Sequence, residues 1–291
     1  MKIDSLVRNN IKNMSSYSSA RDDYSGGANK NLIYLDANES PFDNGINRYP
    51  DNKHTELKKV ISNIKNINVD QIVFGNGTDE ILDLIVRVFC NPNKDKIITL
   101  PPTYGMYDII AKTNEVENIE IPLKSDFSID TDKILDLKTS NIKILFLCSP
   151  NNPTGNSFEI NVLDNLIKKF NGIVVVDEAY IDFGGQSAAQ LVPEFDNLLV
   201  VQTLSKSRSL AGLRVGFALG QSHLIEALER VKNSFNSYPL SSESQAGAIA
   251  AIEDVSYFQE TCQANIVQRE KLSGQLKALG FSMTQSYANF L

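Results

Sequence analysis

The run Gly172-Ile173-Val174-Val175-Val176-Asp177-Glu178-Ala179-Tyr180 decides the fold. A strand with one wet face alternates polar and apolar residues. Here Ile173 to Val176 are apolar at every position, the habit of a strand buried on both faces in a mostly parallel, helix-covered sheet. The run then ends abruptly in a carboxylate. Burying a carboxylate without a partner is costly. Asp177 therefore asks for a cation: a protonated ring nitrogen, a metal or an arginine. The same residue also reads as a helix N-cap, which needs none of these.

Working outward, short apolar runs alternate with helical stretches. The pattern predicts strands at Ile97–Leu100, Val116–Ile121, Ile142–Cys148, Gly172–Val176, Leu198–Gln202 and Val215–Leu219. It predicts helices at Asp79–Cys90, Tyr104–Lys112, Ile160–Phe170, Ser222–Asn233 and Ser242–Glu253. Such alternation implies a layered α/β domain, whose ligands sit beyond the carboxyl ends of the strands. A long helix over Ser256–Leu279, stopped by Gly280, precedes a predicted strand at Phe281–Ser286. At the other end, Lys2 to Asn13 reads as a short helix and Ser15 to Asn29 as an extended arm. The expected organisation is an arm over 1–30, a large domain over 31–253, and the start of a small domain over 254–291.

Three more stretches carry polar chemistry at loop positions. Phe74-Gly75-Asn76-Gly77-Thr78-Asp79-Glu80 leads into an apolar helix. Its glycines permit a sharp turn and close backbone approach. With Thr78 as cap, the first-turn N–H groups form an anion seat. Taken alone, the stretch also reads as a plain capped turn. Cys148-Ser149-Pro150-Asn151-Asn152-Pro153-Thr154-Gly155 follows a predicted strand and offers an Asn amide in a rigid turn, although these residues are common in any turn. Thr203-Leu204-Ser205-Lys206-Ser207-Arg208 runs on to Arg214 between two apolar strands. A lysine in a desolvated pocket or near cations acts as a nucleophilic amine. An isolated lysine would read as a solvated surface residue.

Composition narrows the classes. The chain has 291 residues and a formal charge of −7. An acidic chain repels phosphate backbones, which disfavours nucleic acid as a general partner. Three scattered cysteines, Cys90, Cys148 and Cys262, lack Cys-x-x-Cys spacing, which argues against a structural zinc site and suits a reducing compartment. Two histidines, His54 and His223, disfavour a His-rich metal centre or a Ser-His-Asp hydrolase. No apolar run approaches the roughly 18 residues of a membrane span. The polar N-terminus lacks a signal core, so a soluble, cytoplasmic protein is expected.

An anion seat, an amide donor, a buried carboxylate and an amine nucleophile are together what pyridoxal 5′-phosphate needs. Its phosphate requires donors, its phenolic oxygen a hydrogen bond, its ring nitrogen an anion and its aldehyde a lysine. The order Asn152, Asp177, Lys206 also matches a known arrangement.

With these motifs the sequence resembles the fold-type I, aspartate-aminotransferase-like enzymes, and within them the histidinol-phosphate aminotransferase family. The resemblance runs from about Tyr17 to Leu291. It rests on Tyr17-Ser18-Ser19-Ala20-Arg21-Asp22, Leu35-Asp36-Ala37-Asn38-Glu39-Ser40-Pro41, Asn47-Arg48-Tyr49-Pro50-Asp51 and the four stretches above. It implies a mostly parallel seven-stranded sheet between helices, a partial small α+β domain, and a homodimer with shared active sites. It also implies transfer of the amino group of L-histidinol phosphate to 2-oxoglutarate in histidine biosynthesis.

Residue roles follow from the same resemblance. Lys206 would bind the cofactor covalently and move the substrate Cα proton. Asp177 would hold the protonated ring nitrogen. Asn152 and Tyr180 would hydrogen-bond the phenolic oxygen, and Tyr104 would stack on the ring. Gly77, Thr78 and Asp79, with Ser205, Arg214 and Thr203, would hold the phosphate, and Tyr49 would reach it from the partner subunit. Tyr17 and Asn38 would line the substrate pocket.

The family commonly has Pro before the arm tyrosine, where this chain has Ser16, and Asn-Pro where it has Ser40-Pro41. Family members also continue past the Ala-Asn-Phe position, here Ala288-Asn289-Phe290, into a segment carrying an arginine for the substrate anion. No arginine follows Arg269 in this chain. Two alternatives stay open: a threonine-phosphate decarboxylase-like enzyme, and a truncated cofactor-binding remnant without turnover. A nucleotide-dependent dehydrogenase is disfavoured, because no Gly-x-Gly-x-x-Gly follows the first strand.

Overall fold

The computed structural model describes residues 6–15, 33–137 and 139–291. Its strands are β1 (Ile72–Asn76), β2 (Lys96–Thr99), β3 (Glu117–Glu120), β4 (Ile142–Cys148), β5 (Ile173–Asp177), β6 (Leu198–Thr203) and β7 (Val215–Gly220). Among the described residues they form one sheet in the order β1-β7-β6-β5-β4-β2-β3. β7 pairs antiparallel with both neighbours and the other pairings are parallel. Parallel neighbours need a long crossover, whereas antiparallel ones can be joined by a loop. The β6–β7 loop, residues 204–214, therefore carries Lys206 across the carboxyl end of the sheet.

The helices are α1 (Asn9–Lys12), α2 (Thr55–Lys65), α3 (Gly77–Phe89), α4 (Met106–Thr113), α5 (Thr131–Leu135), α6 (Ile160–Lys169), α7 (Ser222–Phe235), α8 (Ser242–Glu253) and α9 (Val255–Ala278). Alternation along each central strand divides the core between two faces. Val174, Val176, Leu198 and Val200 pack with Leu57, Ile61, Leu163, Leu166 and Ile252 from α2, α6 and α8. Ile173, Val175, Leu199 and Val201 pack with Ile81, Leu82, Ile85, Ile110 and Leu224 from α3, α4 and α7. Each such side chain contributes roughly 1.5–3 kcal/mol when fully buried. The sheet is thus a filled slab, and ligand space is confined to its ends.

Every predicted strand before residue 220 forms, shifted by a residue or so in several cases. β1, α2 and α5 lie outside the predicted set. β1 has only Ile72-Val73-Phe74 before Gly75, too short a run to separate from the turn that follows it. α4 begins at Met106 rather than Tyr104, and of the helix predicted over 2–13 the described residues 6–13 form only the turn Asn9–Lys12, residues 6–8 not being helical. The predicted strand at Phe281–Ser286 does not form. Among the described residues no strand lies beside it to pair with. This segment bonds instead to the Asn151–Gly155 turn: Thr284 Oγ1 donates to the Thr154 carbonyl oxygen at 2.7 Å. The Tyr287 N–H, just beyond it, donates to that of Gly155 at 2.7 Å. Gly280 stops α9 with φ +90°.

Candidate active site

The turn from β1 into α3 forms the first wall. Gly75 pairs with Gly216 across the β1–β7 ladder. Any Cβ on Gly216 would meet the Gly77–Thr78 peptide at 2.5 Å, so the missing side chain lets the helix start pack against the sheet. Gly77 has φ +78°. A Cβ there would collide with the Arg214 guanidinium. The Gly77 N–H donates to the Arg214 carbonyl oxygen at 2.7 Å. Thr78 is not the helix cap. Asn76 holds that position, and its N–H is taken by Glu80. Thr78 and Asp79 instead sit in the first turn, where N–H groups lack helical acceptors and the helix dipole favours an anion.

The second wall is the end of β5. Asp177 is 3 % exposed. Its Oδ2 accepts from the Tyr107 hydroxyl at 2.8 Å and its Oδ1 from the Ala179 N–H at 3.2 Å. The helix N-cap reading of Asp177 does not hold, because it is the last residue of β5 and the next helical turn starts only at Ile181; instead it braces the turn through Ala179 and lines the cavity. Burial pushes its carboxyl up to about 6, against the opposing hydrogen bonds from Tyr107 and Ala179. It makes no ion pair with the described residues. Glu178, on the other side of the strand, is also buried. It accepts from Ser187 Oγ, the Ala188 N–H and Gln202 Nε2, so its bonds are satisfied away from the cavity.

The β4 and β6 loops complete the enclosure. Asn151 and Asn152 divide the work of the turn. Asn151 is buried and locks it, donating to the Pro102 carbonyl oxygen at 2.9 Å and to Thr154 Oγ1 at 2.6 Å. Asn152 lines the cavity. Burial is the main cause raising the Tyr180 phenol, followed by Cys148 and Asp177, while Asn152 opposes the shift. The Tyr104 hydroxyl donates to Asp79 Oδ1 at 3.1 Å, and burial pushes this phenol well up. Thr203 Oγ1 accepts the Ser205 N–H at 3.0 Å and lies 2.9 Å from Ser205 Oγ. Lys206 Nζ is 5.5 Å from the centroid of the Tyr180 ring.

A cavity of about 190 Å³ gathers Thr78, Asp79, Tyr104, Asn152, Asp177, Tyr180, Thr203, Ser205, Lys206 and Arg214, all named from the sequence. Gly77 lies against its Arg214. Cys148, Ala179 and Ala211 also line it, although sequence reasoning gave them no role. Tyr107, whose hydroxyl holds Asp177, was missed because a tyrosine on an apolar helix face reads as core. Asn38 and Tyr49 do not join this cavity. They line a separate groove of about 370 Å³ with Arg48 and Ser241. Tyr17 lies outside the described residues.

The shape and the loop chemistry define a fold-type I aminotransferase, and the family model for class I and II aminotransferases matches residues 23–291. The chain belongs to that family. A histidinol-phosphate aminotransferase from Flavobacterium johnsoniae is 44% identical over 292 residues, covering 99% of this chain and 83% of the relative. One from Flavobacterium psychrophilum is 49% identical over 243 residues, covering 83% of this chain and 70% of the relative. Solved structures share the fold. The Sinorhizobium meliloti histidinol-phosphate aminotransferase, in complex with pyridoxal-5′-phosphate, superposes with a TM-score of 0.76 at 21% identity, over 83% of this chain and 66% of that one. The Clostridium acetobutylicum histidinol-phosphate aminotransferase gives 0.75 at 24% identity, over 84% and 73%.

The chain is a pyridoxal-phosphate-dependent aminotransferase. Its cavity fits that cofactor on its own terms. It pairs a glycine-walled helix start and an arginine with a buried carboxylate that has no ion-pair partner among the described residues, and the Lys206 side chain lines the same cavity.

Proposed function

We propose that this chain transfers the amino group of L-histidinol phosphate to 2-oxoglutarate, giving imidazole acetol phosphate and glutamate in histidine biosynthesis. The observation that carries the reading is kinship over 99% of the chain with a relative of that name. Thr78, Asp79, Ser205, Thr203 and Arg214, with Gly77, would hold the cofactor phosphate. Asp177 would hold its ring nitrogen, Asn152 and Tyr180 its phenolic oxygen, and Tyr104 its ring face. When bound, the cofactor supplies an electron sink for the charge left at the substrate Cα. The Lys206 amine would anchor the cofactor and then carry the proton between the substrate Cα and the cofactor's C4′. Asp177 stays ionised and keeps the ring nitrogen protonated.

The reading includes a homodimer, in which Tyr49 reaches the partner's phosphate and Asn38 and Tyr17 line the substrate pocket. Support comes from the large apolar residues Ile33, Tyr34, Leu35, Phe42, Ile46 and Tyr49, each of which is exposed on this stretch of the chain. It places the cofactor domain at 31–253, with the arm at 1–30 and a second unit beginning at 254. It also puts the enzyme in the cytoplasm, where its three free, buried cysteines stay reduced. Among the described residues no helix is long and apolar enough to cross a membrane.

The test is product formation. Purified chain with pyridoxal phosphate, L-histidinol phosphate and 2-oxoglutarate is expected to form glutamate, and Lys206→Ala to form none. Carbon dioxide released from threonine phosphate, without glutamate, would replace this reading with the decarboxylase. Cofactor binding without any turnover would leave the remnant.

A further inference from the structure

Tyr107 is 1 % exposed on α4. Its ring stacks on Phe146 of β4, with centroids 4.8 Å apart and planes 8° apart, and meets Tyr104 edge-on at 5.6 Å. Phenylalanine would fill that slot as well, so the hydroxyl is the part that packing leaves unexplained. Buried tyrosine hydroxyls find a partner, and this one has Asp177 Oδ2 at 2.8 Å. Tyr107 does not itself line the cavity, whereas Asp177 does. The phenol braces the carboxylate from outside the cavity wall.

We propose that Tyr107 is a positioning residue of the cofactor site: its hydroxyl fixes the Asp177 carboxylate and holds it in the charged form that a protonated ring nitrogen requires. This rests on Asp177 being the ring-nitrogen partner.

Hydrogen bonds to an ionised acceptor are stronger than neutral ones, and low polarity amplifies them. The other groups facing Asp177 do not replace this bond. Asp79, from α3, works against ionisation. Lys206, from the β6–β7 loop, favours it, but less than the Tyr107 hydrogen bond does. Cys148 at the end of β4, Tyr104 before α4 and Tyr180 after β5 are each pushed up by burial, so they stay neutral. Tyr107 is itself held well above the ordinary phenol range, chiefly by burial and then by Asp177. Its proton therefore stays on the phenol oxygen, and Tyr107 remains the donor.

The test measures pyridoxal phosphate affinity, by absorbance and equilibrium dialysis, from mildly acid to mildly alkaline pH. Wild type, Tyr107→Phe, Asp177→Asn and the double variant are compared. Differences between proteins at one pH cancel the cofactor's own titrations. Tyr107→Phe is expected to move the acid limb of the affinity curve up by on the order of one pH unit, about tenfold in affinity on that limb. In the Asp177→Asn background the same substitution should change affinity less than about twofold, because the coupling passes through the carboxylate. A fluorotyrosine at position 107, close in size and a stronger donor, should move the limb down. An unmoved acid limb, or an equal loss in both backgrounds, overturns the proposal and leaves Tyr107 as packing. Wild type that binds no pyridoxal phosphate at any pH overturns the cofactor reading itself, a result distinct from either.

Discussion

Gly216 of β7 lies against the peptide that joins Gly77 to Thr78, so close that a Cβ on it would sit 2.5 Å from the Thr78 nitrogen. The atoms it would meet are backbone and cannot swing aside. Gly216→Ala is expected to push the start of α3 off the sheet and cost about 1–3 kcal/mol, read by urea unfolding. The same shift should weaken pyridoxal phosphate binding at least tenfold. Unchanged affinity would mean that the helix start is not the phosphate seat.

Asp177 is expected to trade stability for binding. Its native carboxyl titrates at about 6 against 3.8 for the free group. Between those values the native state holds more protons than the unfolded chain. This group's contribution therefore falls as pH rises through that window and stays low above it. Asp177→Asn is expected to make the cofactor-free protein more stable than wild type by about 1–3 kcal/mol at alkaline pH. The gap should close near pH 4, and cofactor affinity should fall throughout. Denaturant unfolding at the two pH values checks the sign.

His54 has the opposite slope. It is fully buried at φ +52°, and among the described residues neither ring nitrogen has a hydrogen-bond partner. Burial, reinforced by Lys232, lowers it from 6.5 to about 3. Below 6.5 the unfolded chain takes a proton that the native state refuses, so stability is lost as pH falls toward 3. Asn tolerates the left-handed backbone. His54→Asn is expected to reduce the acid loss, on top of a pH-independent packing cost. The measurement is the difference between wild-type and variant unfolding free energies at neutral and mildly acid pH.

Tyr49 tests the shared site. Its N–H donates to Glu39 Oε1 at 2.6 Å, Glu39 also pairs with Arg48, and the ring stacks on Tyr238 at 4.7 Å. These contacts hold it on the groove, away from its own chain's cavity. Hybrid dimers of a Lys206→Ala chain with a Tyr49→Phe chain would contain one intact site. They are expected to recover about half of wild-type activity per dimer, more than either parent. Recovery no greater than the parents' average would place Tyr49 outside the partner's site.

The sheet and the cavity were legible for one physical reason. Asp177, Asn152 and Lys206 each follow an apolar strand, where a polar residue stands out against its neighbours. What escaped notice lacks that contrast. β1 is too short before Gly75 to register as a strand. Tyr107 hides its hydroxyl among the apolar residues of a helix face. The apolar residues of Phe281–Ser286 promised a strand, but a strand exists only through its neighbour. The sequence pointed to Thr78 as cap, yet Asn76 takes that place because Glu80 reaches back to its N–H.

In the proposed function, the cavity between Asp177, Arg214 and Lys206 holds pyridoxal phosphate through the Lys206 amine. Borohydride reduction of the reconstituted protein, followed by peptide mass mapping, tests it most directly. The prediction is a visible absorption band that reduction abolishes, with one phosphopyridoxyl group fixed on Lys206. No retained group, or a group fixed on another lysine, would contradict it.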